Sequence, residues 1–272
     1  MQGVPQQFEF PLDQAQFFHP PTRAGIELYR AHIVQHAFEP HTHAAYGFGT
    51  VASGVERFRY RGSEHLASPG SIVTMNPDIL HTGRAETDTG WQYHMIYIAP
   101  EVLDEIAGRP GWWFDQAVHR DPARAQQLSQ QLAALWQTHD ALAFDCQLAQ
   151  LLQTLAPLAT TQNTPQRGQR FDSVIDYMHA HLATRLNLET LAAVAGLSPF
   201  HFLRQFQAHY HATPQQMLMA LRLYRAKQLL TQGIAPAMVA ADCGLSDQAH
   251  LNRSFLKRYG TTPARYQKAI RG

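Results

Sequence analysis

The sequence predicts an α+β chain of two modules. The first is a β-barrel with a helical segment attached. The second is all-α and built on two helix-turn-helix units. Three observations predict this: short strand-like segments fill the chain to about residue 100, the charge divides sharply at a polar stretch near residue 165, and one helical segment occurs twice in the second half. The length of 272 residues suffices for two buried cores. With 45% apolar and 16% charged residues, the composition excludes a mostly disordered chain. No stretch approaches the apolar length of a membrane-spanning helix. Two cysteines are too few for a disulfide framework or a cysteine zinc site. The opening MQGVPQQFEFPLDQAQ has neither a basic head nor an apolar run, so a cytoplasmic location is expected.

In the first half, Ile26 to His32 alternates apolar and polar residues, and Phe58 to Arg61 does the same before Gly62. Ser71 to Met75 follows the turn pair Pro69-Gly70, and Trp91 to Ile98 is aromatic and β-branched. Short strands separated by Gly/Pro turns predict a sandwich or barrel at about 19–100. Beyond it the pattern turns helical. Asp121-Pro122 caps and starts a helix carrying Leu128, Leu132 and Leu135. A second helix runs from about Ala141 to Leu158, with Leu148, Leu151, Leu152 and Leu155 on one face. Such stripes serve as domain core or as the seam with a second subunit. Domain one is therefore set at 1–160, with helices at about 121–158.

Residues 161–170 are polar, hold Pro165 and Gly168, and read as a linker. Before Pro165 there are 9 basic against 16 acidic residues, a balance of −7; from Pro165 onward there are 13 against 5, a balance of +8. The overall charge of +1 is thus a cancellation, and the basic half is suited to a polyanionic partner.

In that half, 171–272, His201 to Pro214 and His250 to Pro263 share His, Arg, Phe, Tyr, Thr and Pro at matching positions, each after a Gly-Leu-Ser. Asn187 caps a first helix ending at Gly196, and Ser198 with Pro199 starts the next. Pro236 opens the equivalent helix ending at Gly244, and Ser246 or Asp247 caps the last. The two motifs span about 188–210 and 236–259. Phe202, Phe206 and Tyr210, and likewise Leu251, Phe255 and Tyr259, hold the second helices to the core. The opposite faces offer Phe200, His201, Arg204 and Gln207 in one and Gln248, His250, Asn252, Arg253 and Lys257 in the other. A helix so placed fits the major groove, where arginine reads guanine bidentately and Phe200 meets a thymine methyl. Arg204 and Arg253 have few acidic partners in this half, so intramolecular ion pairing is the weaker reading of both. Lys257, Arg258 and Lys268 suit phosphates. A helix from Pro214 to about Gln232 joins the units and sets their spacing.

The text LETLAAVAGLSPFHFLRQF, the connector LRLYRAKQLL and VAADCGLSDQAHLNRSFLKRYGTTPARY resemble the DNA-binding domain of the AraC/XylS family of bacterial transcription regulators. Leu203 and Leu245 depart from its commoner residues. The resemblance implies promoter DNA and RNA polymerase as partners, a homodimer, and a cupin-like barrel in front that binds a small-molecule effector. Pro40-His-Thr-His43, Gly54, Pro69-Gly70, Asn76-Pro77 and His81 fit that barrel. The candidate ligand-binding residues are His41, His43, Tyr46, Arg57, Arg59, His81, Trp91 and Tyr93.

His-x-His on a strand puts two imidazoles on one face, and His81 would make a third metal ligand. The carboxylate that enzymatic cupins supply just after this motif is missing from Ala44-Ala-Tyr-Gly-Phe48. The reading therefore assigns no metal, no cofactor and no catalytic residue. A metal-dependent cupin enzyme fused to a DNA-binding module is the alternative, and a DNA-binding protein whose barrel is empty of any effector is a third.

Overall fold

A computed structural model describes residues 4–8, 10–161 and 169–271. Most of the expected linker, 162–168, lies outside the described residues. The strands are β1 (Val4–Gln7), β2 (Gln14–Phe18), β3 (Ile26–Ile33), β4 (Phe38–His41), β5 (Tyr46–Gly54), β6 (Glu56–Tyr60), β7 (Ser63–Ala67), β8 (Ser71–Met75), β9 (His81–Ala85), β10 (Trp91–Ile98), β11 (Trp112–Trp113), β12 (Val118–Arg120) and β13 (Thr160–Thr161). Helix α1 (Pro100–Ala107) follows β10; α2 (Pro122–Gln137) and α3 (Ala141–Leu155) follow β12. The second half holds α4 (Gln169–Ala180), α5 (Leu188–Val194), α6 (Pro199–Tyr210), α7 (Pro214–Thr231), α8 (Pro236–Asp242), α9 (Gln248–Tyr259) and α10 (Pro263–Arg271).

The expected barrel is two sheets rather than one closed ring. One has seven strands in the order β1-β2-β3-β10-β5-β8-β12, and the other four in the order β4-β9-β6-β7. Strands β3, β10 and β5 pair antiparallel along their length, Ile26 facing Ile98 and Ile98 facing Tyr46. One face of this sheet is buried by α2 and α3. Leu128, Leu132, Leu135, Leu148, Leu151, Leu152 and Leu155 join Leu28, Phe48, Ile72 and Ile96 in one core. The leucine stripes are thus consumed inside the domain, because a one-sided sheet needs a helical cover to bury its apolar face. Asp121 and Asp140 cap the two helices, accepting from the amides of Arg124 and Ala143. Helix α3 ends at Leu155, and the expected last turn to Leu158 tightens into a 3₁₀ turn. Asn76 ties the end of β8 to its surroundings: its amide nitrogen donates to the Phe114 carbonyl, its amide oxygen accepts from the Phe114 N–H, and its backbone N–H donates to the Tyr60 hydroxyl.

Two compact units result. The first comprises 1–37, 43–78 and 83–163, and the second 38–42, 79–82 and 164–272. The helical unit therefore includes two short segments from the first half of the chain. Its core joins Phe171, Val174 and Met178 of α4 to Phe202, Phe206, Met217 and Leu221, with Leu80 packed against it. Asn187 caps α5 and Asp247 caps α9 through their side chains. Ser198 precedes α6 as expected but makes no side-chain cap bond; Pro199 removes one of the amides that would need it. Thr213 and Gln216 form a reciprocal capping box that starts α7.

Candidate nucleic-acid interface and effector site

Each helix-turn-helix unit buries one face of its second helix and exposes the other. Phe202 and Phe206 of α6, and Leu251 and Phe255 of α9, are fully buried. On α6, His201, Arg204 and Gln207 are exposed. Phe200 is 71% exposed, with the Arg204 guanidinium 6.0 Å over its ring. An exposed aromatic next to an arginine offers both an apolar and a bidentate contact to base edges. On α9, Gln248, Arg253 and Lys257 are exposed, while His250 and Asn252 are half-buried. Among the described residues, neither Arg204 nor Arg253 forms an ion pair.

The start of α9 is held firmly. The Asp247 carboxylate accepts from the His250 amide at 2.6 Å, and the Ser246 hydroxyl lies 3.2 Å from His250 Nδ1. The His250 amide, with help from Ser246, Arg253 and the Ala249 amide, holds the Asp247 carboxyl below its ordinary range. These bonds orient His250 and leave Arg253, one turn on, facing outward.

One expected phosphate contact is overturned. Arg258 is 2% exposed, and its Nη2 donates to the Thr42 carbonyl at 2.9 Å. It lies on the buried side of α9 because 38–42 covers that side, so it is sequestered from a nucleic-acid backbone. Lys257 stays exposed but has Glu39 at 3.5 Å. Lys268 is exposed on α10.

In the β-rich unit, alternation decides which candidates face inward. Glu56, Phe58 and Tyr60 of β6 are buried. Arg57 and Arg59 point the other way: Arg57 pairs with Glu86 at 2.5 Å and Glu64 at 3.1 Å, and Arg59 is exposed. Their place among the interior ligand contacts is corrected by the period-two geometry of the strand. Trp91 and Tyr93 are interior and stack at 5.4 Å. Tyr46 is buried and donates to the Trp112 carbonyl at 2.7 Å; burial, with Asp104, pushes its phenol up to about 12. The His43 ring lies 4.4 Å from that of Tyr97. On the outer face of β2, β3 and β10, a cleft of about 330 Å³ is lined by Gln14, Gln16, Arg30, His32, Gln92 and His94. Sequence reasoning passed over these residues, although the alternation of β3 and β10 carries the signal.

Reasoning from residue types also passed over Glu56. It is buried near Tyr93, and desolvation pushes its carboxyl up to about 8 from an ordinary 4.5. Between those values the folded protein holds a proton that the unfolded chain releases. Its stability therefore falls as pH rises from 4.5 through 8. Glu56→Gln should remove this loss. The urea midpoint of the variant relative to the parent is expected to rise between pH 5 and pH 8; an unchanged difference would show that Glu56 is ionised in the fold.

His41 and His81 are buried, their rings 4.1 Å apart. Each directs Nδ1 to the carbonyl two residues before it, that of Glu39 at 2.8 Å and that of Ile79 at 2.9 Å. Of the three candidate metal ligands, His41 and His81 belong to the second unit and His43 to the first. Burial, opposed by the Ile79 carbonyl and reinforced by the positive charge of Arg258, pushes His81 down to about 4. Neutral imidazoles suit a metal, but a buried guanidinium next to them opposes a divalent cation.

Comparison with known proteins supplies the remaining context. Residues 23–156 match the AraC-like ligand binding domain, and residues 191–269 match a helix-turn-helix domain. The uncharacterized HTH-type transcriptional regulator YbfI of Bacillus subtilis is 27% identical over 238 residues, covering 83% of this chain and 86% of that protein. The HTH-type transcriptional activator RhaS of Escherichia coli is 22% identical over 262 residues, 90% of this chain and 93% of RhaS. ToxT from Vibrio cholerae, in a structure bound to unsaturated fatty acid, shares the fold with a TM-score of 0.63 at 8% identity, covering 92% of this chain and 94% of that one. No described helix is long and apolar enough to cross a membrane. Two domain matches in the order that the repeated motif and the strand-rich half require lead to one conclusion: the chain belongs to the AraC/XylS family, as a DNA-binding transcriptional regulator with a ligand-binding N-terminal domain.

Proposed function

We propose that α6 and α9 read promoter DNA, with Phe200, His201, Arg204 and Gln207 facing one major-groove segment and Gln248, His250, Asn252 and Arg253 the next. Lys257 and Lys268 add phosphate contacts. In this reading, 171–272 is the DNA-binding domain and 1–160 the effector-binding domain. Trp91, Tyr93 and His43, with Glu56 added, form the ligand-facing set; Tyr46 shares the helix-covered face with Phe48 and Ile98 and is left out of it. The chain acts as a cytoplasmic homodimer that contacts RNA polymerase and performs no catalysis. The observation that carries the reading is the repetition of one surface: two helices bury equivalent aromatic faces, and each exposes an arginine that forms no ion pair among the described residues.

Two such helices reading successive grooves require half-sites about 10.5 base pairs apart. Selection from random duplex DNA with the full chain should enrich sites with that spacing. Enrichment of a single half-site would refute the two-helix reading, and no enrichment would refute sequence-specific binding.

A further inference from the structure

We propose that the Arg258 guanidinium, with the Thr42 hydroxyl, forms a receptor for the carboxylate of a small organic acid. Both residues belong to the helical unit, and both are almost completely buried, Arg258 at 2% and Thr42 at 1% exposure. Arg258 Nη2 is satisfied by the Thr42 carbonyl. Among the described residues, its Nε–H has no hydrogen-bond partner, and neither has the Thr42 hydroxyl. Two buried polar groups on residues that are hydrogen-bonded to each other are thus each left with a proton and no acceptor for it.

Charge sharpens the argument. A guanidinium does not shed its proton in a protein, so its charge persists when it is buried. Among the described residues, no carboxylate pairs with Arg258. Glu39, the acid of the same covering strand, faces Lys257 instead. Tyr259, whose ring lies 5.3 Å from the guanidinium carbon, adds a side-chain hydrogen bond and a ring field but no carboxylate. His41 and His81, buried nearby and held by carbonyls of their own segments, contribute no negative charge. A buried cation without a counter-ion is costly, and a planar monoanion offsets it. A carboxylate matches the flat guanidinium fork and accepts from a hydroxyl at the same time. The single positive charge is neutralised by a monocarboxylate and overmatched by a phosphate dianion.

Occupancy would fasten 38–42 to the flank of α9 beside Lys257, which Glu39 already engages. If Lys257 contacts DNA, the acid and DNA are linked ligands, each weakening the other. That consequence rests on the proposed DNA reading; the binding itself does not.

The test uses the full chain labelled with ¹⁵N-arginine. The Arg258 Nε–Hε resonance is identified by its loss in R258K. Acetate is titrated against chloride at constant ionic strength, with inorganic phosphate in a parallel series. A saturable shift of this resonance with acetate is expected, with phosphate at least as weak. Calorimetric acetate affinity should fall about tenfold in R258M, as expected when one charge-assisted pair is removed. R253A, altered on the exposed face, should bind acetate like the parent. If R258M fails to fold, T42V keeps the charge and should weaken the same shift severalfold. No saturable shift, equal affinity in R258M or T42V, or tighter binding of phosphate would each overturn the proposal.

Discussion

Arg253→Ala should weaken binding to a selected operator about 5- to 150-fold, the equivalent of roughly 1–3 kcal/mol for one lost bidentate base contact. The loss should be confined to one base position, where preference relaxes. Arg253 is exposed on α9, one turn after the capped start of the helix, and forms no ion pair among the described residues. Truncation therefore breaks no ion pair among the described residues and removes only the exposed attraction to the Asp247 carboxylate. Alanine is also the better helix former, so the melting temperature should hold. Lys257→Ala provides the contrast. A phosphate contact carries no sequence information, so its loss should lower affinity evenly across sites and reduce the salt slope by about one. Part of that effect is already spent on Glu39 at 3.5 Å. Unchanged affinity and unchanged base preference in Arg253→Ala would remove α9 from the reading of bases.

The contrast between Arg253 and Arg258 shows where a sequence is legible. The repeat, its caps at Asn187 and Asp247, and the buried aromatics are encoded within a few turns of helix, so spacing alone reveals them. The burial of Arg258 depends on Thr42, 216 residues away, and no local pattern announces such a partner. The bounds of Ser71–Met75 and Trp91–Ile98 were readable because turns and β-branched residues delimit them. The facing of Arg57 and Arg59 was not, since a shift of one residue exchanges the two faces of a strand. The leucine stripes of α2 and α3 were visible as apolar faces, but periodicity does not name the surface that covers them. The structure answers with the sheet of the same domain. Glu56 lay hidden for a further reason: an acid in a strand reads as solvated until the neighbouring sheet removes its water.

Gly244→Ala should be the most damaging small substitution in the helical unit, and Gly196→Ala is its internal control. The two glycines occupy equivalent turns of the duplicated motif, with φ of +67° and +65°. Any residue with a Cβ pays roughly 1–2 kcal/mol for that left-handed backbone. A Cβ at 196 meets nothing within 4 Å, so this backbone term should be the whole cost there. At 244 the same atom would stand 2.3 Å from the Leu182 carbonyl oxygen and 2.9 Å from Arg222 Nη2. The neighbours are not free to retreat. Arg222 Nε donates to that same Leu182 carbonyl at 2.9 Å, and its Nη2 donates to the Thr184 carbonyl at 2.7 Å. These bonds tie α7 to the end of α4, so relief of the clash breaks a half-buried guanidinium away from its acceptors. Overpacking of this kind adds about 1–3 kcal/mol to the backbone term. Urea unfolding of the full chain, followed by helical signal, should therefore show a midpoint loss for Gly244→Ala at least twice that for Gly196→Ala. Pairing Gly244→Ala with Arg222→Ala should give less than the sum of the separate losses, because the two substitutions disrupt one contact. Equal losses at 196 and 244 would mean that the turn alone, and not its packing against residues 182–184, sets the need for glycine.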